Sequence, residues 1–323
     1  MSKELKIGSF NLLNLQLPEQ PYYNRSYTYE EFEKKQAWIS HQLNSMKADI
    51  IGFQEVFSEE ALKTVIRSNP YYRDYHIVMS DRKGGSPAVA IASRYPIKDY
   101  EVIREFPEQL EVDGLLIPFK EFSRPLLKCQ IEYADGQDFH VVVAHLKSKR
   151  PMLEDGEDRD DPLAQAKGQA RALLLRAAES AAVRTVLMEV LENRDSPVVV
   201  IGDLNDTHTS VTTRIISGEA PFRYLPMHKK RKIWDVLLYH AKDIQARNSY
   251  TDTYYTHLHN GHHEALDHIM VSQELVRENP NHIGRVTMVR TFNDHLLDET
   301  ISEERIPNWQ SDHAQVVVHI EMR

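Results

Sequence analysis

The stretch 197-PVVVIGDLND-206 sets four β-branched aliphatics in a row, then Gly202, then Asp203, Asn205 and Asp206. An apolar run this short reads as a strand covered on both faces, and the glycine lets its end open without a side chain in the way. The polar residues then sit at a strand mouth. Residues two apart on an extended chain point to one side, so the Asp203 carboxylate and the Asn205 carboxamide can hold and deprotonate one water molecule. Asp and Asn are also the commonest turn formers, and these ten residues alone do not choose between a site and a turn.

Working outward, the pattern recurs. Leu5–Leu13 alternates as a strand that carries Asn11 near its end, and 49-DIIGF-53 is a buried strand followed by Gln54 and Glu55. The strand expected at Asp138–Ala144 runs into His145, Ala265–Val271 contains Asp267 and His268, and Ala314–Ile320 follows Ser311, Asp312 and His313. Tyr29–Met46 has a helical period with Phe32, Ile39, Leu43 and Met46 on one stripe, and Ser58 reads as the N-cap of a helix ending near Ser68. Strands are expected at Tyr75–Met79 and Ala88–Ser93, joined by a DRKGGSP turn, and an edge strand at Ile97–Ile103. The segment from Glu105 to Glu121 reads as loop, and Leu126–Glu132 pairs with Asp138–Ala144 around Ala134-Asp135-Gly136.

Beyond this hairpin a long helix is expected from about Leu163 to Glu192, packed on a sheet through Leu173, Ala177, Ala181 and Arg184. Thr209–Ile216 reads as a short helix and Ile233–Leu238 as strand or helix. Tyr250–Thr256 and Arg285–Val289 read as strands. Many strands and few long helices point to two sheets packed face to face with helices outside, and no repeat or linker divides residues 1–323. A single domain is the expectation.

With 39 basic and 48 acidic side chains the net charge is -9, which excludes a global basic field for nucleic acid, so a polyanion needs a local positive patch. The lone Cys129 excludes an internal disulfide framework and fits a reducing compartment. No signal-peptide core opens the chain, and no run approaches the roughly 20 apolar residues of a membrane helix. A cytoplasmic protein without a membrane partner is expected, and no protein partner is inferable.

If the strands are neighbours, their ends gather carboxylates, amides and imidazoles at one rim, an arrangement that repels itself unless a cation neutralises it. Oxygen-rich ligands suit Mg²⁺ or Mn²⁺, whereas zinc sites are richer in His or Cys. In order, SFNLLNL around Asn11, DIIGFQEV around Glu55, AIASRYPI around Arg94, VVAHLKSK around His145, VIGDLND around Asp203, EALDHIMVS around Asp267 and QSDHAQV around His313 resemble the endonuclease/exonuclease/phosphatase superfamily. Seven motifs in the family's order carry the resemblance across the chain. It implies the DNase-I-like four-layer α/β sandwich, two mixed β-sheets flanked by helices, and metal-dependent hydrolysis of a phosphate ester, with nucleic acid a candidate substrate.

The resemblance also implies roles. Glu55 would be the principal metal ligand, with Asn11 and Asp312 near the metal or its waters. Asp203 would activate the attacking water, helped by Asn205. His313, oriented by Asp267, would contact the scissile phosphate, and His145 would donate to its oxygens. Lys147 and Arg124 are candidates for further phosphate binding, although a basic residue at a strand end is as often merely solvated or paired. The chain lacks the tyrosine of abasic-site repair members at its HLKS segment and the Cys-Asp-Arg ending of inositol-phosphate phosphatases. HLKSK and FSRPL (122–126) resemble bacterial DNA and RNA nucleases of the family instead. The alternatives are a phosphomonoesterase or small-molecule diesterase on the same fold, and a non-catalytic binding module.

Three features stand apart. The histidines from His257 to His263 invite a second metal, but a turn around Asn260-Gly261 needs none, and the turn is the preferred reading. The acidic loop Glu154–Asp161 lacks the ligand spacing of a calcium loop and reads as a solvated insertion. Tyr22, Tyr23 and Tyr27, with Arg25 among them, suit either base stacking or packing on the first helix.

Overall fold

The buried runs at Asp49 and Pro197 become central strands of two six-stranded sheets. The computed structural model describes residues 3–81, 85–107, 118–134, 136–192, 196–249 and 254–323. Its elements are β1 (Lys3–Leu15), α1 (Tyr29–Met46), β2 (Ile50–Val56), α2 (Glu59–Ser68), β3 (His76–Met79), β4 (Ala88–Ser93), β5 (Ile97–Glu105), β6 (Glu121–Ala134) and β7 (Gln137–His145). There follow α3 (Pro162–Leu191), β8 (Val198–Asp203), α4 (Val211–Ser217), α5 (Met227–Asp235), β9 (Leu238–His240) and α6 (Ala241–Asn248). The chain ends with β10 (His257–His259), β11 (His262–Glu264), β12 (Asp267–Ser272), β13 (Gly284–Phe292) and β14 (Gln315–Met322).

The first sheet has the order β13-β14-β1-β2-β4-β3 and the second β5-β6-β7-β8-β12-β9, while β10 and β11 form a separate hairpin. Both sheets are mixed, because β1 pairs parallel with β2 and β7 parallel with β8, and the other pairs are antiparallel. A parallel pair brings two carboxyl ends side by side. Two such pairs at the centres of facing sheets put four strand ends at one rim, and the starts of the antiparallel β12 and β14 join them.

Between the sheets Ile7, Val89 and Ile91 meet Val141, Val143 and Ile201. The sheets approach so closely at Gly52 that a Cβ there would stand 2.7 Å from Ile201 Cγ2. Helices α1 and α2 cover the outer face of the first sheet through Ile39, Leu43, Leu62 and Val65, and α3 covers the second through Val183, Val186, Leu187 and Val190. Each such side chain contributes about 1.5–3 kcal/mol by leaving water. The four layers make the α/β sandwich expected from the sequence.

Helix α1 spans the expected residues, with Thr28 and Glu31 closing a capping box. Helix α3 also forms, but it turns a different face to the sheet. Leu173 is 49% exposed, and Ala172, Leu175, Ala182, Val183 and Val186 are buried instead. Alanines surround the helix, so its apolar residues mark no single stripe. Ile233–Leu238 divides between α5 and β9, the start of α5 was not expected, and no helix was expected at α6. The histidine turn is the β10–β11 hairpin, and Tyr254–Thr256 before it is not strand. Residues 82–84, 108–117, 135 and 250–253 of the expected turns, loop and strand lie outside the described residues. No described helix is long and apolar enough to cross a membrane.

Candidate active site

On the second sheet, Asp203 at the end of β8 is in register with His145 of β7 on one side and Asp267 of β12 on the other. Gly202 is what lets β8 end there. Its φ is 155°, and a Cβ would lie 1.9 Å from the Ala144 carbonyl oxygen, so the strands could not approach with a larger residue. Asn205 follows with φ 55°, its backbone N–H donating to Asp203 Oδ1 (2.9 Å) and its side chain to the Leu146 carbonyl (3.0 Å).

On the first sheet, the ladder between β1 and β2 shifts register after Asn11, and the ladder between β2 and β4 shifts after Phe53. Such bulges re-aim side chains at strand ends. Leu13, Asn14 and Glu55 take φ of 48°, 59° and 59°, a conformation that costs a non-glycine residue about 1–3 kcal/mol and collects at functional sites. It brings the Asn14 N–H to Glu55 Oε2 (3.1 Å) and Asn11 Nδ2 to Glu55 Oε1 (3.4 Å).

The two halves join at one oxygen. Asn11 Nδ2 lies 3.2 Å, His145 Nε2 3.5 Å and His313 Nε2 3.8 Å from Asp203 Oδ2. His313 is held by Asp267 Oδ2 on Nδ1 (2.8 Å) and by the Ser311 hydroxyl on its N–H, and that hydroxyl in turn donates to the Asn11 carbonyl (2.8 Å). Asn11, Asp203, Asp267, His145, Asn205 and His313 are all buried, while Glu55 and Asp312 keep partial access to solvent.

Burial pushes Asp203 up to about 7 against the pull of His313, with Asp267 and Glu55 adding to the rise. Burial opposes a charge on His313 too, but Asp267 and Asp203 outweigh it and hold the imidazole well above its ordinary value. His145 is driven the other way by burial, with Arg124 and His313 adding to the effect, so it is a neutral donor and its contact with Asp203 is no ion pair. Glu55 is raised by burial and by Asp312. The Glu55 carboxylate, with Asp312 Oδ1 and Asn14 Oδ1 buried and unpartnered among the described residues, forms an oxygen donor set that suits a hard divalent cation.

Lys147 and Arg124 flank this corner without reaching into it. Lys147 Nζ donates to the Ser148 and Arg150 carbonyls, and Arg124 Nη1 to the Leu146 carbonyl, leaving Arg124 Nε buried and unpartnered among the described residues. Buried Glu179 accepts from the Ser123 and Lys147 N–H groups and fixes both segments. Of the three tyrosines, Tyr22 and Tyr27 stack on one another in the core, and Tyr23 stands 65% exposed with its edge on Phe57. In the acidic loop, Glu157 is bound by Arg171 and Asp161 caps α3. His268, next to Asp267, points away and bonds to the Asp206 carbonyl.

Lys35 was not singled out from the sequence. Fully buried, its Nζ donates to the Leu13 (2.9 Å) and Asn308 (3.4 Å) carbonyls, facing Glu55 and Asp312. Burial drives its ammonium down to about 7, with both carboxylates opposing. The apolar stripe of α1 carried the signal, since it steps from Phe32 to Ile39 and the intervening turn puts Lys35 inward.

In comparisons with known proteins, the profile of the Endonuclease/Exonuclease/phosphatase family matches residues 8–313. No curated protein sequence matches the chain. Among solved structures, a humanized D. rerio TDP2 is 16% identical with a TM-score of 0.58, covering 99% of each chain. A mannosyl-6-phosphatase of Bacteroides thetaiotaomicron is 17% identical with a TM-score of 0.58, over 98% of this chain and 99% of that one. The human Nocturnin catalytic domain is 14% identical with a TM-score of 0.55, over 99% and 95%. The family profile takes in all the strand ends that build the corner: the chain belongs to the endonuclease/exonuclease/phosphatase family.

Proposed function

We propose that this protein is a divalent-metal-dependent phosphodiesterase acting on DNA or RNA, with residues 1–323 working as one domain. The observation that carries it is the convergence of Asn11, His145 and His313 on Asp203 Oδ2. A buried carboxylate raised towards neutrality is matched to removing a proton from water. Asp203 takes that proton as the water oxygen attacks phosphorus in line; the opposite P–O ester bond breaks, the alkoxide leaves and takes a proton from solvent, and Asn205 keeps the carboxylate turned to the water. Protonated His313, with Asp267 holding its orientation, offers Nε2–H to a phosphate oxygen. Neutral His145 adds a second donor, so the charge growing on the phosphoryl oxygens meets fixed N–H groups. Glu55, Asn11 and Asp312 would hold Mg²⁺ or Mn²⁺, which supplies Lewis-acid neutralisation of the phosphate when bound.

Family members are phosphoric ester hydrolases. Exposed Tyr23 beside Arg124 and Arg150 offers a base-stacking face next to positive charge, which favours a nucleic-acid substrate. A second reading, a small phosphate ester, is favoured by the short reach of that basic edge. Lys149 is paired with Glu264 at 2.7 Å, and Lys147 is bonded within its own loop. Solved structures of similar fold include both kinds, a D. rerio TDP2 complexed with a single-strand DNA product and the mannosyl-6-phosphatase. Incubation of the purified chain with plasmid, single strands, RNA, a sugar phosphate and a chromogenic diester, with and without chelator, tests the proposal. Chelator-sensitive cleavage of polymer is expected. Preference for the sugar phosphate would select the second reading, and no metal-dependent turnover of any phosphate ester would overturn both.

A further inference from the structure

One histidine of the β10–β11 hairpin does not belong to a solvated turn. His257 has its Nδ1 buried and unpartnered among the described residues, and its ring lies 5.1 Å from that of His313. Asp312 has Oδ1 in the same condition. One ligand atom from each of His257, Asp312 and His313 lies within 4.8 Å of the others.

The backbone fixes this grouping. Ala314 N–H donates to the Thr256 carbonyl (2.8 Å), so the residue before His257 is tied to the residue after His313. At the far end of the hairpin, the Gly261 N–H donates to Asp298 (2.6 Å) and the Asn260 N–H to Thr300 (2.8 Å). The hairpin is anchored at both ends, and only its first histidine is carried inward. His259 and His262 are exposed, and His263 packs on Tyr255.

We infer that His257, Asp312 and His313 form a second cation position, which shares Asp312 with the one expected at Glu55 and Asn11 and takes Zn²⁺ or Mn²⁺ in preference to Mg²⁺. Two imidazoles and one carboxylate are a borderline donor set, which Mg²⁺ fills poorly and Zn²⁺ well. His313 already has the outer partner such a ligand uses, a carboxylate on its other nitrogen: Asp267 holds Nδ1, and Nε2 is left for the ion. Tetrahedral zinc bonds of about 2 Å set ligand atoms about 3.3 Å apart, so a closing of up to about 1.5 Å between them, shared among the three side chains, completes the set. An ion here engages the nitrogen of His313 that faces Asp203, so filling the position slows phosphate-ester turnover. The inference stands on ligand geometry and does not need the hydrolase reading, because its test reads binding.

The chelator-stripped full chain is titrated with Zn²⁺ against a fluorescent competitor and with Mn²⁺ by electron paramagnetic resonance. The native chain should bind Zn²⁺ at one position that excess Mg²⁺ does not displace, and His257→Gln should lower that affinity at least tenfold. His257→Cys should restore tight binding and give Co²⁺ a thiolate charge-transfer band, which a merely misfolded hairpin would not. His259→Gln, on the same hairpin, should bind like the native chain. Unchanged Zn²⁺ affinity in His257→Gln overturns the assignment, as does an equal loss in His259→Gln or a Cys variant without the band.

Discussion

The two halves of the corner are built from the same material and charged in different ways. On the first sheet Glu55 and Asp312 face the buried ammonium of Lys35, and both keep some access to solvent. On the second sheet Asp203 and Asp267 are sealed in and face His145 and His313. A cation can reach and leave the first pair. In the proposed mechanism the second pair moves a proton, because an imidazole beside each carboxylate gives it somewhere to go. The difference teaches that carboxylate pairs of equal formal charge take their roles from access and neighbours.

Replacing one member of each half separates the roles. Asp203→Asn keeps the shape and removes the base, and should lower kcat by about 10²–10⁴ with KM little changed, measured by steady-state kinetics on the best diester. Near-normal turnover would mean that Asp203 does not take the proton. Glu55→Gln acts on the other half. It should raise the Mg²⁺ concentration needed for half-maximal rate by about tenfold or more, and excess metal should recover part of the rate. If excess metal recovers Asp203→Asn instead, the two halves have been assigned the wrong way round.

Asp267→Asn has a smaller and more specific effect. It removes the carboxylate that keeps His313 protonated well above the usual imidazole range. The rate should rise with pH as Asp203 ionises and fall at high pH as His313 loses its proton. In the variant the falling limb moves to lower pH, and the rising limb moves down with it by less, because Asp267 is a smaller contributor than burial to the raised Asp203. A pH–rate profile for kcat/KM reads this directly, and an unmoved alkaline limb would remove His313 from the role of phosphate donor.

Much of this contrast was legible in the sequence because strand mouths are short-range features. An apolar run followed by Asp, Asn or His identifies a residue at a sheet rim whatever the topology, so Asn11, Glu55, His145, Asp203, Asp267 and His313 could all be found. That they meet depends on the parallel pairs β1–β2 and β7–β8, which no local pattern encodes and which the resemblance of seven ordered motifs supplied. The face of α3 was misread because its alanines carry little directional information. Lys35 was passed over because a lysine within a polar run looks solvated until its helix is docked. His257 differs from His259 only by the direction of a hairpin three residues long on each side, and nothing in HLHNGHHE fixes that direction.

The sealed half should also show in stability. The Asp203 carboxyl holds its proton up to about 7 in the fold, against an ordinary value of 3.8, so the folded chain binds a proton that the unfolded chain has already released. Its contribution is therefore fully present below about pH 4 and is lost as pH rises towards 7, at a cost of about 1–4 kcal/mol. His313 has its folded value raised above 6.5, so its contribution too is present below that pH and is lost as pH rises through the raised value. Both terms weaken the chain in alkali. Asp203→Asn cannot ionise and removes the first of them, so in chelator at pH 8 the variant should melt a few degrees above the native chain, while near pH 4 the two should coincide. Added Mg²⁺ should narrow the gap, because a cation at Glu55 stabilises the ionised corner and does less for the amide. A melting-temperature series from pH 4 to 8, with and without Mg²⁺, checks both signs. A gap that does not open with pH would place the raised acid on Glu55, and the proton would then belong to the first sheet.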